Sequence, residues 1–200
     1  MLNNYFLKHI KYLTIPYEDL KIYYNINIQE KIKIIPQGFE INHQIKSKQT
    51  KNQIPTFAYT GSFIKDFRDP TLLLEYLVQK KERFKFIIYT RAQHFITPYK
   101  VLLKDKLEIR DYIPREELLT ELRKVDFVVN IQNGNKVDYP SKLIDYSIAQ
   151  KPVLNINSFK LDKKKIDAFL SGDYSQSMEL PNVEQYDISK VANQFICLCR

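Results

Sequence analysis

The stretch "VDYPSKLIDYSIAQKPVLNI", residues 137–156, decides the fold. Pro140 has its φ already fixed for a first helical turn, and "SKLIDYSIAQ" carries apolar residues at Leu143, Ile144 and Ile148 with helical spacing. Just upstream, "VDFVVNI" (125–131) is a continuous apolar run of the kind buried on both faces of a parallel sheet, and "KPVLNI" reads as the next strand. The helix thus joins two parallel strands, with its N-terminus at their carboxyl edge. That edge is where such sheets bind ligands.

Working outward, the same alternation recurs. Strands are expected at 56–60, 84–89, 107–110, 126–131 and 152–156, with helices at about 69–80, 97–105, 114–124 and 140–149. Strict succession of strand and helix implies right-handed crossovers, hence an α/β fold: a Rossmann-like, doubly wound parallel sheet with helices on both faces. Beyond it "LDKKKIDAFLSG" reads as a helix, "DYSQSMELPNVEQYD" as turns, and "ISKVANQFICLC" regains helical spacing. In front, "LNNYFLKHI" reads as a helix, "YLTIP" as a strand, "YEDLKIYYNI" as one helix and "KIKIIPQGF" as a strand closing on a Pro-Gln-Gly turn. The polar run "NHQIKSKQTKNQI" has linker composition. The expected division is therefore 1–43, a linker at 44–54, and a main domain at 55–200. Residues 1–43 hold too few elements for a domain of their own and read as the closing segment of a larger one, with a complete small appendage as the alternative.

Two hundred residues at 44% hydrophobic content suffice for one sizeable core. The formal charge of +8 suits an anionic partner or a membrane surface, though most of the basic residues are scattered lysines, which also fits a plain solvated face. No zinc-ligand spacing, RGG tract or aromatic-flanked basic stretch points to nucleic acid. Cys197 and Cys199 are too few for a disulfide framework, which favours a reducing, cytoplasmic setting. No run approaches the roughly 18 apolar residues of a membrane span, so any membrane contact is expected to be peripheral.

The chemistry-bearing residues sit at expected strand exits. In "FAYTGSFIKDFRDP", Gly61 permits a tight turn and close approach of its amide to a ligand; many α/β proteins use such a glycine for geometry alone. Arg68 in the same loop can hold a phosphate in two-point fashion. The amides of Ser141 and Lys142 open the helix at its positive end, and Asp145 follows one turn on, placed for a ribose diol or, equally, as an ordinary exposed acid. Arg91 and Arg110 leave neighbouring strands, to meet phosphate or stand as solvated loop charges. His94 has no companion at metal-ligand spacing and reads as loop surface.

The succession "IPQGF", linker, "YTGSF", "IRDYIPREELLTELRKVDFVVN", "YPSKLIDYSIAQKPVL" resembles the C-terminal half of a GT-B glycosyltransferase, most similar to the large family 4 (group 1) that uses nucleotide sugars. The resemblance covers roughly residues 31–160. It implies a donor site in which Gly61, Ser62, Arg68, Ser141 and Lys142 face the diphosphate, Asp145 takes the ribose, and the loop of Tyr112 and Ile113, with Arg91 near it, borders the nucleobase. It implies transfer from a nucleotide-diphosphate sugar to a glycan or lipid-linked acceptor without a metal or other cofactor, with retained anomeric configuration. Residues 1–43 would be the remnant of the acceptor-side domain, in which case a non-catalytic nucleotide-sugar-binding module is the alternative. The sequence departs from the family where an arginine commonly follows the first glycine (Ser62), where a lysine lies five residues later (Phe67), and at the first acid of the paired-acid motif (Val137, with Asp138 beside it). A subgroup with Pro-Ser-Lys-Leu in this helix also lacks that acid.

Overall fold

The structure, a computed structural model, describes residues 4–41, 52–132 and 142–199. In chain order the elements are α1 (Asn4–His9), β1 (Leu13–Ile15), α2 (Ile26–Gln29), β2 (Ile32–Ile34), β3 (Thr56–Thr60), α3 (Thr71–Val78), β4 (Lys85–Tyr89) and α4 (Thr97–Leu103). They continue with β5 (Leu107–Arg110), α5 (Arg115–Arg123), β6 (Phe127–Gln132), α6 (Lys142–Ala149), β7 (Val153–Asn157), α7 (Lys163–Leu170) and α8 (Ile188–Leu198). The chain divides into two units, Lys46–Pro181 and Met1–Ile45 with Asn182–Arg200.

In the larger unit five strands pair in parallel in the order β5-β4-β3-β6-β7. The order follows from the crossovers: β3 to β5 step one way, and the chain then returns to place β6 on the other side of β3. Side chains alternate strictly between the faces. Phe57, Tyr59, Phe86, Ile88, Phe127 and Val129 point to the face covered by α3, α4 and α7. Ala58, Ile87, Val128 and Val153 point to the face covered by α5 and α6. On the first face, Phe57 stacks between Phe86 and Phe127 with ring centroids 4.5 and 4.6 Å away, which fixes the register of the three central strands.

The central strands part early. β3 and β6 pair only from Phe57↔Phe127 to Tyr59↔Val129, so the next donor on β3 and the last acceptor on β6 need other partners. Tyr146 of α6, fully buried, supplies both: its hydroxyl accepts from the Thr60 amide (3.1 Å) and the Thr60 hydroxyl (3.3 Å) and donates to the Val129 carbonyl (3.0 Å). One side chain thereby docks α6 onto the point where the strand order reverses.

The smaller unit holds the two-stranded parallel pair β1–β2 and α8. The reading that ran one domain from 55 to the C-terminus differs here, because α8 buries Val191 within this unit. Phe39 donates its amide to the Tyr186 carbonyl (2.7 Å) and its carbonyl accepts from Ile188 (3.0 Å). Gly38 lies in close contact with α8: a Cβ there would lie 2.5 Å from the tip of the Ile188 side chain, which could swing aside, and 3.3 Å from the Ile188 Cα. The expected single helix over 17–26 is a 3-10 turn, Glu18–Tyr23, followed by α2, because the Asn25 side chain accepts from the Ile28 amide (3.1 Å) and starts a new helix. The expected linker at 44–54 lies largely outside the described residues.

Tyr146→Phe keeps the ring but strands the Thr60 amide and the Val129 carbonyl in a dry site. Urea unfolding should show a loss of about 1–3 kcal/mol; an unchanged midpoint and slope would mean that this hydroxyl bridge contributes nothing to the fold.

Candidate functional site

The β3 exit forms one wall. Tyr59, wholly buried, donates its hydroxyl to the Ser62 carbonyl (3.2 Å), and Phe63 stacks on its ring at 4.7 Å. Between them the chain turns at Gly61 with φ +122°, where a side chain would be strained. The Gly61 amide bonds the Tyr89 carbonyl (3.1 Å), so it extends the sheet instead of facing the cleft. The next two amides, of Ser62 and Phe63, donate to no described residue. The loop then closes on itself through the Arg68 amide and the Ile64 carbonyl (2.9 Å), with Asp66 at φ +60°. Ser158, just past β7, clamps it by accepting from the Asp69 amide (3.1 Å) and donating to the Phe67 carbonyl (3.1 Å).

This clamp places Arg68, whose Nε is buried and meets no hydrogen-bond partner among the described residues. Across from it α6 contributes Lys142, four residues and one helical turn before Tyr146. Its side chain is only 8% exposed, and its Nζ lies 4.6 Å from the centre of the Tyr59 ring and has no hydrogen-bond partner among the described residues. Burial first, and the neighbouring Arg68 guanidinium second, push the Lys142 ammonium down to about 7. The two nitrogens thus stand near each other with no hydrogen-bonded acid among the described residues. Buried charge is costly unless paired, and an anion entering here would relieve that cost.

Asp145, also on α6, takes a different partner. Its Oδ1 accepts from Nε of Arg115 at 2.7 Å, and burial raises its pKa while Arg115 opposes the rise. The far wall comes from the β4 and β5 exits. There the Arg91 guanidinium lies 4.8 Å over the ring of Tyr112, which is 63% exposed, and Ile113 and Leu118 pack down on the second core face.

These walls enclose a half-open cleft of about 460 Å³ at the carboxyl edge of the sheet. Of the residues singled out in the sequence, Gly61, Ser62, Arg91, Tyr112, Ile113, Lys142 and Asp145 all line it. Arg68 is not on its wall but reaches it through its charge on Lys142 and Tyr59. Ser141 lies outside the described residues. Arg110 is held by Glu108 (2.6 Å), Glu121 (2.8 Å) and the Tyr89 hydroxyl (2.6 Å), a structural network rather than a ligand contact. His94 is exposed against Phe95. Among the described residues no three His, Cys, Asp or Glu side chains group as metal ligands. Sequence reasoning missed Arg115, Thr60, Tyr89 and Thr90 on the cleft wall. Arg115 opens α5 right after Pro114, a start signal that placed the helix but said nothing of which side chain turns inward. It also missed that the side chain of Lys142, and not only its amide, is the buried cation.

No protein-family model and no curated protein matches the sequence. Solved structures do. A glycosyltransferase from Rickettsia africae superposes with a TM-score of 0.67 at 12% identity, covering 98% of this chain and 66% of that one. Staphylococcus aureus TarM, in a complex containing UDP, gives 0.61 at 14% identity over 98% of this chain and 45% of that one. Anabaena HepE in complex with UDP-glucose gives 0.60 at 10% identity over 94% and 63%. At these identities the likeness shows the fold: the Rossmann-like α/β architecture of GT-B glycosyltransferases. The chain spans about half to two thirds of the length of these proteins.

An unpartnered buried ammonium should cost stability. Lys142→Met, of similar volume, is expected to raise unfolding free energy near neutral pH by about 1–4 kcal/mol. Because the folded-state value of Lys142 is depressed from 10.5 to about 7, the unfolded chain holds more protons in that window. Wild-type stability should therefore climb relative to the variant as pH rises from about 7 toward 10.5, and the two should converge at the alkaline end. Parallel stability curves across that range would show that Lys142 is not the buried cation described here.

Proposed function

We propose that the cleft binds the diphosphate of a nucleotide sugar and that this chain is the donor-binding portion of a glycosyltransferase of the family 4 (group 1) type. The observation that carries the reading is the pair of buried nitrogens, Lys142 Nζ and Arg68 Nε, which have no hydrogen-bond partner among the described residues, beside the Ser62 and Phe63 amides, which donate to no described residue. A diphosphate would satisfy all of them, and the start of α6 would add its dipole. Ser141 belongs to this set by the sequence resemblance. Asp145 would accept from the ribose, and the loop of Tyr112 and Ile113, with Arg91 stacked on it, would border the base.

In transfer, the bond between the sugar's anomeric carbon and the terminal phosphate oxygen breaks, and negative charge grows on the departing diphosphate. Positioned cations and amides stabilise that charge without reorganising at the moment of reaction. Arg68 and Lys142 do here what a metal ion does elsewhere, so the reading needs no metal. The acceptor, a glycan or lipid-linked hydroxyl, and contact with the cytoplasmic face of a membrane are parts of the same proposal, supported by the basic charge of +8. Among the described residues no helix is long and apolar enough to cross a membrane. Binding without transfer by this chain alone is the second reading; the chain spans only part of the length of the solved glycosyltransferases.

Calorimetric titration with UDP, GDP and ADP tests the site. At least one should bind in the presence of EDTA, and Arg68→Ala or Lys142→Met should each weaken it tenfold or more, about 1.4 kcal/mol. Binding by none of the three, or binding indifferent to both substitutions, would remove the donor-site assignment.

A further inference from the structure

Arg115 has no role in the donor site as the sequence resemblance draws it, yet it is the residue that touches the expected ribose acceptor. Its Nε lies 2.7 Å from Oδ1 of Asp145, and the two side chains are 31% and 16% exposed on the wall of one cleft. Oδ2 of Asp145 receives no hydrogen bond from any described residue. A lone buried carboxyl would tend to protonate and to rotate about its side chain; Arg115 opposes the first by its charge and the second by its directed N–H.

We infer that Arg115 is a positioning residue for the nucleoside sugar: by holding Oδ1 of Asp145 it presents Oδ2, as an acceptor, to the 2′- and 3′-hydroxyls of a ribose. The inference rests on the diphosphate reading above and deepens it, since it assigns the discrimination between ribose and its deoxy forms to the Arg115–Asp145 pair. Two independent anchors set the pair. Asp145 is oriented on α6 by the neighbouring Tyr146 hydroxyl bridge, and Arg115 starts α5 directly after the loop carrying Tyr112 and Ile113. The group that aims the sugar contact is thus two residues from the loop expected to border the base. Lysine could supply the charge but not the fixed planar direction of an Nε–H. The opposite view, in which Arg115 occupies Asp145 and must be displaced by the ligand, predicts the opposite sign on removal.

The test compares wild type with Arg115→Gln and Arg115→Lys, titrating whichever of UDP, GDP and ADP binds wild type, its 2′,3′-dideoxy counterpart, and inorganic pyrophosphate. Wild type should prefer the ribonucleotide by roughly tenfold or more, the size of one charge-assisted hydrogen bond. Arg115→Gln should bring that ratio to within about twofold while pyrophosphate binding is retained, and Arg115→Lys should restore part of it, since the hydrogen bond but not its direction survives. A ratio unchanged or increased in Arg115→Gln overturns the inference while leaving the diphosphate site standing. Loss of pyrophosphate and nucleotide binding alike in wild type removes the diphosphate reading itself, and this inference with it. Thermal midpoints of both variants separate misfolding from a site effect; should Arg115→Gln not fold, the ratio in Arg115→Lys decides, an unchanged value again overturning the inference.

Discussion

The parting of β3 and β6 is the constraint on which the rest of the larger unit depends. A parallel sheet whose strand order reverses must leave a gap at the reversal, and the gap opens one backbone donor and one acceptor in a dry place. Here the Thr60 amide and the Val129 carbonyl are those groups, and the Tyr146 hydroxyl satisfies both. That bridge fixes the rotation of α6. Once the helix is rotated so that Tyr146 points into the sheet, Lys142 one turn earlier must also lie inward, over Tyr59, while Asp145 turns toward α5. The cleft is a consequence of how the gap is closed.

Lys142 and Arg68 show the opposite tendency. Other charged groups of this unit meet partners: Arg110 has two carboxylates, and Asp167 takes the Tyr76 hydroxyl at 2.7 Å and the Lys80 ammonium at 2.5 Å, although Arg123 Nη1 and Asn130 Oδ1 are also buried without a hydrogen-bond partner among the described residues. At the carboxyl edge of β3 the pattern stops, and two cationic nitrogens are left without acceptors among the described residues. Buried charge left without a partner is costly, and an anion entering the cleft would offset that cost.

The larger unit was legible in the sequence because its strands are continuous apolar runs and its helices have clean apolar stripes, signals local enough to read one segment at a time. The smaller unit was less so. The 3-10 turn at Glu18–Tyr23 and the Asn25 cap replaced one expected helix with two short pieces, a local competition that periodicity does not resolve. The placement of α8 beside Gly38 and Phe39 depends on residues about 150 positions apart in the chain, and nothing in either segment names the other.

The sequence by itself determined the order of strands and helices, the carboxyl-edge location of the loops after β3, β4 and β5, and which polar and charged residues those loops and α6 carry. These follow from period, turn residues and the handedness of crossovers, all properties of consecutive residues. Only the tertiary structure decided that the Gly61 amide is spent on Tyr89, that the Lys142 side chain is buried beside Arg68, and that Arg115 holds Asp145. Each of those is a question of which group fills the space left by another, and that is settled when the faces of β3, α5 and α6 close on one another and exclude water.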